Sequence, residues 1–153
     1  MEKIRGFEVV KEFENKDINL PKRGTKYAAG YDIEAAEDII IPAFKLGQKP
    51  TMIKTGLKAY FQNDEVLCLV ARSSLAKKKG LMLSNNIGII DADYYNNPEN
   101  EGHIMFAVYN LFEEETKIKK GERIGQGVFQ KYLLVDNDDS EGERQGGYGS
   151  TGI

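Results

Sequence analysis

Four short clusters carry side chains able to do chemistry. In Ala71-Arg72-Ser73-Ser74 a forked cation and two hydroxyls stand where an apolar run gives way to helix-forming residues. A guanidinium, hydroxyl donors and the unpaired N–H groups of a helix start suit phosphate oxygens. The same residues also fit a serine cap with an arginine paired to a carboxylate. The second cluster is Asn85-Asn86-Ile87-Gly88-Ile89-Ile90-Asp91-Ala92-Asp93-Tyr94. Asp91, flanked by Ile89, Ile90 and Ala92 with an aromatic three residues later, could act as a general base beside a stacked ring. A strand followed by an Asp-rich turn gives the same pattern. The third, Gly121-Glu122-Arg123-Ile124-Gly125-Gln126, also reads as a strand start. The fourth, Arg144 through Gly152, mixes arginine, tyrosine, hydroxyls and glycines. It is either a loose terminus or an arm that orders over a bound anion.

These clusters need a scaffold, and the chain reads as short strands between turns. Alternation runs over Gly6 to Phe13, Tyr31 to Ala36 and Thr51 to Phe61, and apolar runs over Ile39 to Ile41 and Glu65 to Ala71. Further strands are expected over His103 to Asn110 and Arg123 to Val135. Many short strands with regular turn signals favour an all-β sandwich or barrel. Ser73 to Gly80 breaks the rhythm with a serine cap, helix formers, three lysines in the last turn and a glycine stop, which predicts one short helix. Lys77-Lys78-Lys79 reads as a solvated face complementing the helix dipole. Cys68, inside its apolar run, reads as a buried core residue. Asp136 to Glu143 is acidic and lacks apolar anchors, so it predicts a flexible linker. The organisation expected is a domain over 1–135, a linker over 136–143 and an arm over 144–153.

Composition narrows the classes. With 153 residues the chain is one domain in size, and a net charge of -3 offers no broad pull toward nucleic acid or anionic membrane. No apolar run is long enough to span a bilayer, and no apolar signal core follows Met1, which predicts a cytoplasmic protein. The single cysteine cannot form an internal disulfide, and the single histidine, His103, precludes any multi-histidine metal site. Neither a Walker A loop nor a Rossmann glycine fingerprint is present. Glycine is enriched, at 16 residues, against an average of about 7%.

Taken in order, the clusters resemble the five motifs of the homotrimeric dUTP pyrophosphatases, the dUTPases. Ala29-Gly30-Tyr31-Asp32-Ile33 is similar to the first motif and Ala71 through Ala76 to the second. Asn85 through Tyr94 is similar to the third, Gly121 through Gln126 to the fourth, and Gly146 through Gly152 to the fifth. The resemblance covers most of the chain, from about residue 22 onward.

The resemblance implies an all-β, jelly-roll-like distorted barrel with one short helix and a C-terminal arm, forming a homotrimer with shared active sites. The implied reaction is Mg²⁺-assisted hydrolysis of dUTP to dUMP and pyrophosphate. That reaction limits uracil incorporation into DNA and supplies dUMP for dTMP synthesis. By the same resemblance Asp91 deprotonates the water that attacks the α-phosphorus, and its apolar flank restricts its solvation. Asn85 and the segment Gly88, Ile89 and Ile90 read the uracil edge, with Met105 lining the same pocket. Tyr94 packs on the deoxyribose and excludes a 2′-hydroxyl. Arg72, Ser73, Ser74 and Gln126 hold the phosphates, joined from a neighbour's arm by Arg144, Gly149, Ser150 and Thr151, with Tyr148 stacked on the uracil. Mg²⁺ is held mainly by phosphate and water, with Asp32 in contact through water at most.

The chain departs from the family pattern in three places. Tyr95-Asn96-Asn97-Pro98-Glu99-Asn100-Glu101 replaces a shorter Arg-Gly-Glu, Tyr148 stands where phenylalanine is usual, and Arg144 lies one residue closer to that aromatic. The dCTP deaminases resemble the chain around Gly102-His103-Ile104, but their catalytic glutamate falls where Ala107 stands. A binding protein that regulates a partner, as some phage relatives do, would use the Asn96 to Glu101 tip. The complete set of Asp91, Arg72 and arm favours the enzyme.

Overall fold

The structure, a computed structural model, describes residues 2–147. Twelve strands and one helix follow in order: β1 (Gly6–Val9), β2 (Lys22–Arg23), β3 (Tyr31–Glu34), β4 (Ile39–Ile41), β5 (Thr51–Lys54), β6 (Leu57–Tyr60), β7 (Glu65–Ala71), α1 (Ser73–Lys79), β8 (Leu81–Leu83), β9 (Gly88–Ile90), β10 (Met105–Asn110), β11 (Thr116–Ile118) and β12 (Arg123–Lys131). Single 3₁₀ turns lie at Lys11–Phe13 and Ala92–Tyr94. The fold is mostly β with one short helix, as the turn-punctuated alternation predicts.

The largest sheet runs β2-β3-β12-β7-β9, a second runs β5-β10-β8, and β1-β6 and β11-β4 form two-stranded ribbons. Every pairing between these strands is antiparallel. Antiparallel sheets with one covered face bury alternate residues. Accordingly Ile33, Ile53, Leu57, Leu67, Leu69, Leu81, Phe106, Val108, Ile118 and Ile124 close one core between the sheets.

Several boundaries differ from the sequence expectation, each for a physical reason. The alternation from Thr51 to Phe61 is two strands, broken at Gly56, whose φ of +73° favours glycine. The Gly6 to Phe13 stretch ends as a strand at Val9 and coils into a 3₁₀ turn that buries Phe13. Helix α1 spans the expected residues and stops at Gly80 in the left-handed region, but its N-cap is Arg72, with no side-chain cap bond, and Ser73 is already helical. Cys68 is half-buried rather than a core residue. Along β7 it lies with Val66 and Val70 on the face opposite Leu67 and Leu69, and its thiol faces Gln130 at 3.8 Å. Strand β12 ends at Lys131, leaving Leu133, Leu134 and Val135 exposed. Residues 136–143 are exposed and contain no strand or helix.

His103 is a fold residue. It is buried, its Nε2 accepts the Gly56 N–H at 2.9 Å, and its ring meets Phe13 edge-on. Burial holds its protonation below the ordinary histidine value; Glu12 and Glu101 favour the cation and Lys54 opposes it. The unfolded chain takes up a proton near pH 6.5 while the folded ring stays neutral, so the unfolded state binds more protons below that pH. This contribution to stability is therefore complete above about pH 6.5 and declines as pH falls toward the lower folded value. Denaturant titrations from pH 7.5 to 5.5 should show that loss, at no more than about 1.4 kcal/mol per pH unit for one proton. His103→Gln, which keeps an acceptor without the titration, should flatten this component; an unchanged pH slope refutes the assignment.

Candidate active site

The site begins where two sheets part. Strand β8 pairs with β10, whereas β9 pairs with β7, so the chain crosses from one sheet to the other through residues 84–87. Ser84 N–H donates to the Ala107 carbonyl at 2.8 Å, and Asn86 takes a left-handed φ of 62° to complete the turn. The divergence leaves a cleft of about 430 Å³. One wall is Leu69, Gly88, Ile89 and Ile90; the other is Leu83, Met105, Phe106 and Ala107, with Asn85 between them. Asp91, Tyr94, Arg144 and Gly147 complete the lining. Strand β9 is an edge of its sheet among the described residues, so some of its backbone groups point away from any partner strand and are placed to meet a ligand's polar edge.

Tyr94 is fixed firmly. It is buried, its hydroxyl donates to the His103 carbonyl at 2.6 Å, and Asn100 Nδ2 donates to that hydroxyl at 3.0 Å. A ring held at both its edge and its hydroxyl presents a rigid face, the property required to exclude a bulkier ligand.

The cation at the cleft mouth is paired within the chain. Arg144 donates through Nη2 to Asp91 at 2.8 Å and through Nε to Asp93 at 2.7 Å, and its guanidinium carbon lies 5.6 Å from the Tyr94 ring centroid. The arginine side chain is 7% exposed, against 54% for Asp91 and 58% for Asp93. Burial disfavours the cation, but the Asp93 hydrogen bond and the charges of both aspartates outweigh it and raise the guanidinium above its ordinary value. The expected desolvation of Asp91 by its apolar neighbours is not found: half its side-chain surface is open and its partner is a cation.

The sequence-derived residues therefore divide. Asn85, Gly88, Ile89, Ile90, Asp91, Tyr94, Met105 and Arg144 line one cleft. Arg72, Ser73, Ser74, Gln126 and Asp32 do not line it. They gather beyond the other end of β7, where Ala71 pairs with Gly125 and Gln126 lies between Asp32 and Val70. There Arg72 and Ser73 are exposed, Arg72 N–H donates to the Ile124 carbonyl, and Arg123 faces Asp32 at 3.6 Å. Gln126 folds so tightly over Gly30 that a Cβ there would lie 1.9 Å from its Oε1. Tyr148, Gly149, Ser150 and Thr151 lie outside the described residues. The start of the arm, 144–147, lies on its own chain. Residues missed in the sequence are Asp93, Glu99 and Asn100, all in positions that read as turn formers; the Asp-x-Asp spacing was the one available signal for Asp93.

Among the described residues no cluster of three or more His, Cys, Asp or Glu side chains could hold a metal ion. No helix among them is long and apolar enough to cross a membrane.

Residues 16–152 match the dUTPase family profile. The chain is 54% identical over 152 residues to the deoxyuridine 5′-triphosphate nucleotidohydrolase of Lactococcus lactis subsp. lactis, covering 98% of this chain and 99% of the relative. It is 39% identical over 145 residues to the protein of that name from Desulfitobacterium hafniense, covering 91% of each. The solved dUTPase from Streptococcus mutans superposes with a TM-score of 0.80 at 46% identity, over 86% of this chain and 99% of that one. The fold is shared with the Staphylococcus bacteriophage 80alpha dUTPase solved with dUPNHPP, at a TM-score of 0.71 and 23% identity, over 99% and 100%. The chain belongs to the dUTPase family. Within nucleotide metabolism it is thus a hydrolase, a dUTP diphosphatase.

Proposed function

We propose that the chain hydrolyses dUTP to dUMP and pyrophosphate as a homotrimer of jelly-roll-like barrels whose active sites each draw on more than one copy. The product dUMP would feed dTMP synthesis, and its formation would keep uracil out of DNA. The observation that carries the reading is the division of the site. The cleft has a wall suited to a base, a rigid ring suited to a sugar and the Asp91 carboxylate, yet the cationic and hydroxyl group of Arg72, Ser73, Ser74 and Gln126 stands outside it. A triphosphate bound to both would need a second copy to bring the latter to the former. The exposed run Leu133, Leu134 and Val135, at 95%, 67% and 74%, supports burial against such a copy.

In this reading Asn85 and the backbone of Gly88 to Ile90 bind the uracil edge, Met105 closes the pocket, and Tyr94 blocks a 2′-hydroxyl. Asp91 accepts a proton from water as its oxygen bonds to the α-phosphorus. The bond to the bridging oxygen breaks and pyrophosphate leaves. Alignment and charge neutralisation supply most of the acceleration, with no covalent intermediate. Mg²⁺, a hard cation that keeps waters and takes phosphate oxygens, fits a site without a protein cage, and would supply charge neutralisation at the triphosphate. Asp32 could reach it only through water, and Arg123 already faces that carboxylate. Arg144, with Tyr148, Gly149, Ser150 and Thr151, forms the arm over the nucleotide. The contacts of 144–147 seen within one chain are ones a neighbouring copy's arm could make on the same surface. Residues 1–135 form the domain, and 136–143 give the arm its reach.

Pyrophosphate release from dUTP, dCTP, dTTP and UTP, with and without Mg²⁺, tests the reading directly; turnover confined to dUTP supports it and equal turnover of UTP refutes it. Asp91→Asn should fold with an unchanged melting temperature and lose about 10²–10⁴-fold in kcat; near-normal turnover would remove Asp91 from the mechanism. Tyr94→Ala should narrow the preference for dUTP over UTP by about 10–100-fold, whereas Tyr94→Phe, which keeps the ring, should retain it. If both variants discriminate like the wild type, the sugar is read elsewhere. Mixing unfolded Asp91→Asn with Arg72→Ala chains and refolding them together should recover activity that neither has alone. No recovery would place each site within one chain.

A further inference from the structure

The polar tip at 95–101 is more ordered than its composition suggests, and it touches the arm. Asn97 is buried: its Nδ2 donates to the Tyr94 carbonyl at 2.7 Å and to Asn100 Oδ1 at 2.8 Å, and its Oδ1 accepts the N–H groups of Glu99 and Asn100. Asn100 Oδ1 also accepts the Gly102 N–H at 3.0 Å. The tip is stapled to the barrel by Lys58, which reaches Asn96 Oδ1 at 2.7 Å and Glu101 at 2.6 Å, and by the Tyr95 hydroxyl, which donates to Glu8. Two side chains of the tip meet Gly147, which itself lines the cleft. The Glu99 carboxylate accepts the N–H of Gly147, and the Asn100 amide lies flat against that glycine, so close that a Cβ on Gly147 would sit 2.6 Å from Asn100 Nδ2.

We infer that this tip is the docking site of the arm, with Glu99 as the positioning residue that holds Gly147 beside the cleft. The inference deepens the proposed function and rests on it, because it assigns the anchor from which the arm reaches the nucleotide. Asp91 and Asp93 hold the arm at Arg144, but the contact with Asp91 is made to a group the reaction uses. Glu99 and Asn100 hold it three residues further on, by a backbone N–H and a glycine surface that no phosphate needs. The anchor can therefore persist while Arg144 exchanges partners. The tip's rigidity suits this role: Asn100 also grips the Tyr94 hydroxyl, so arm and sugar wall are referred to the same amide.

The test uses the full chain in two assays. Without nucleotide, trypsin should cut slowly after Arg144, whose side chain is 7% exposed, and Glu99→Ala should speed release of the 145–153 peptide about tenfold. With dUTP the same variant should raise KM about tenfold at an unchanged melting temperature, and Glu99→Gln, which keeps an acceptor oxygen, should restore both readouts. Gly147→Ala should reproduce the KM rise and add nothing when combined with Glu99→Ala. Wild-type cleavage and KM in Glu99→Ala would overturn the inference, as would a lowered KM. A fall in melting temperature with cleavage throughout the chain would make Glu99 merely structural and overturn it equally. Should the wild type fail to turn over dUTP, the functional reading falls, while the cleavage assay still decides whether Glu99 anchors the arm.

Discussion

The hydrogen bonding of β7 to β12 on one side and β9 on the other is the constraint from which the site follows. Leu69 lies opposite Gly127 in one neighbour and Gly88 in the other, and two residues later Ala71 lies opposite Gly125. One strand thus sets both the wall that lines the cleft and the spot where Arg72 leaves the sheet. Side chains in a strand alternate between faces, so a shift of one residue on either side would turn the apolar wall outward. The register is held by burial of Leu67 and Leu69 and, at the strand's start, by Glu65. This carboxylate is buried but gripped by the Arg5 guanidinium, whose hydrogen bond holds it below the usual carboxylate range. The Gln62 N–H donates to it as well.

Charge is handled locally throughout. Arg144 is tolerated at 7% exposure because two carboxylates and an aromatic face surround it; a buried cation without them would carry a heavy desolvation cost. Arg123 likewise faces Asp32 at 3.6 Å. The modest net charge of -3 therefore conceals strong local charge, with Arg144 and Arg123 each facing a carboxylate.

What the sequence revealed depended on how local the determining physics was. The helix at Ser73–Lys79 and its glycine stop were legible because lysines and a left-handed residue act within one turn of chain. The glutamate-to-alanine run of β7 was legible as a strand, but Cys68 was misplaced because an unbroken apolar run does not show which face meets the core. The Asn85 to Tyr94 cluster was legible as one unit since it is contiguous and folds as a single crossover, strand and 3₁₀ turn. The tip was not: Asn97, Glu99 and Asn100 look like solvated turn residues until their amides are seen bonded to one another. Nor could sequence join Arg72 and Gln126 to Asp91, because within one chain nothing brings them into the same cleft.

The pairing of Arg144 with Asp91 links binding to chemistry in the proposed reaction. In the free chain the guanidinium occupies the carboxylate that is to accept a proton from water. A triphosphate offers the same fork geometry and more negative charge, so it competes for the arginine on favourable terms. As the guanidinium turns to phosphate, it uncovers the Asp91 oxygen that it had held by a hydrogen bond, leaving that oxygen open to water. Asp93, at 2.7 Å from the arginine, can keep it at the cleft mouth during that exchange. The base is then fully available only when phosphate is there to draw the arginine away, which ties activation of water to the presence of the bond it must break.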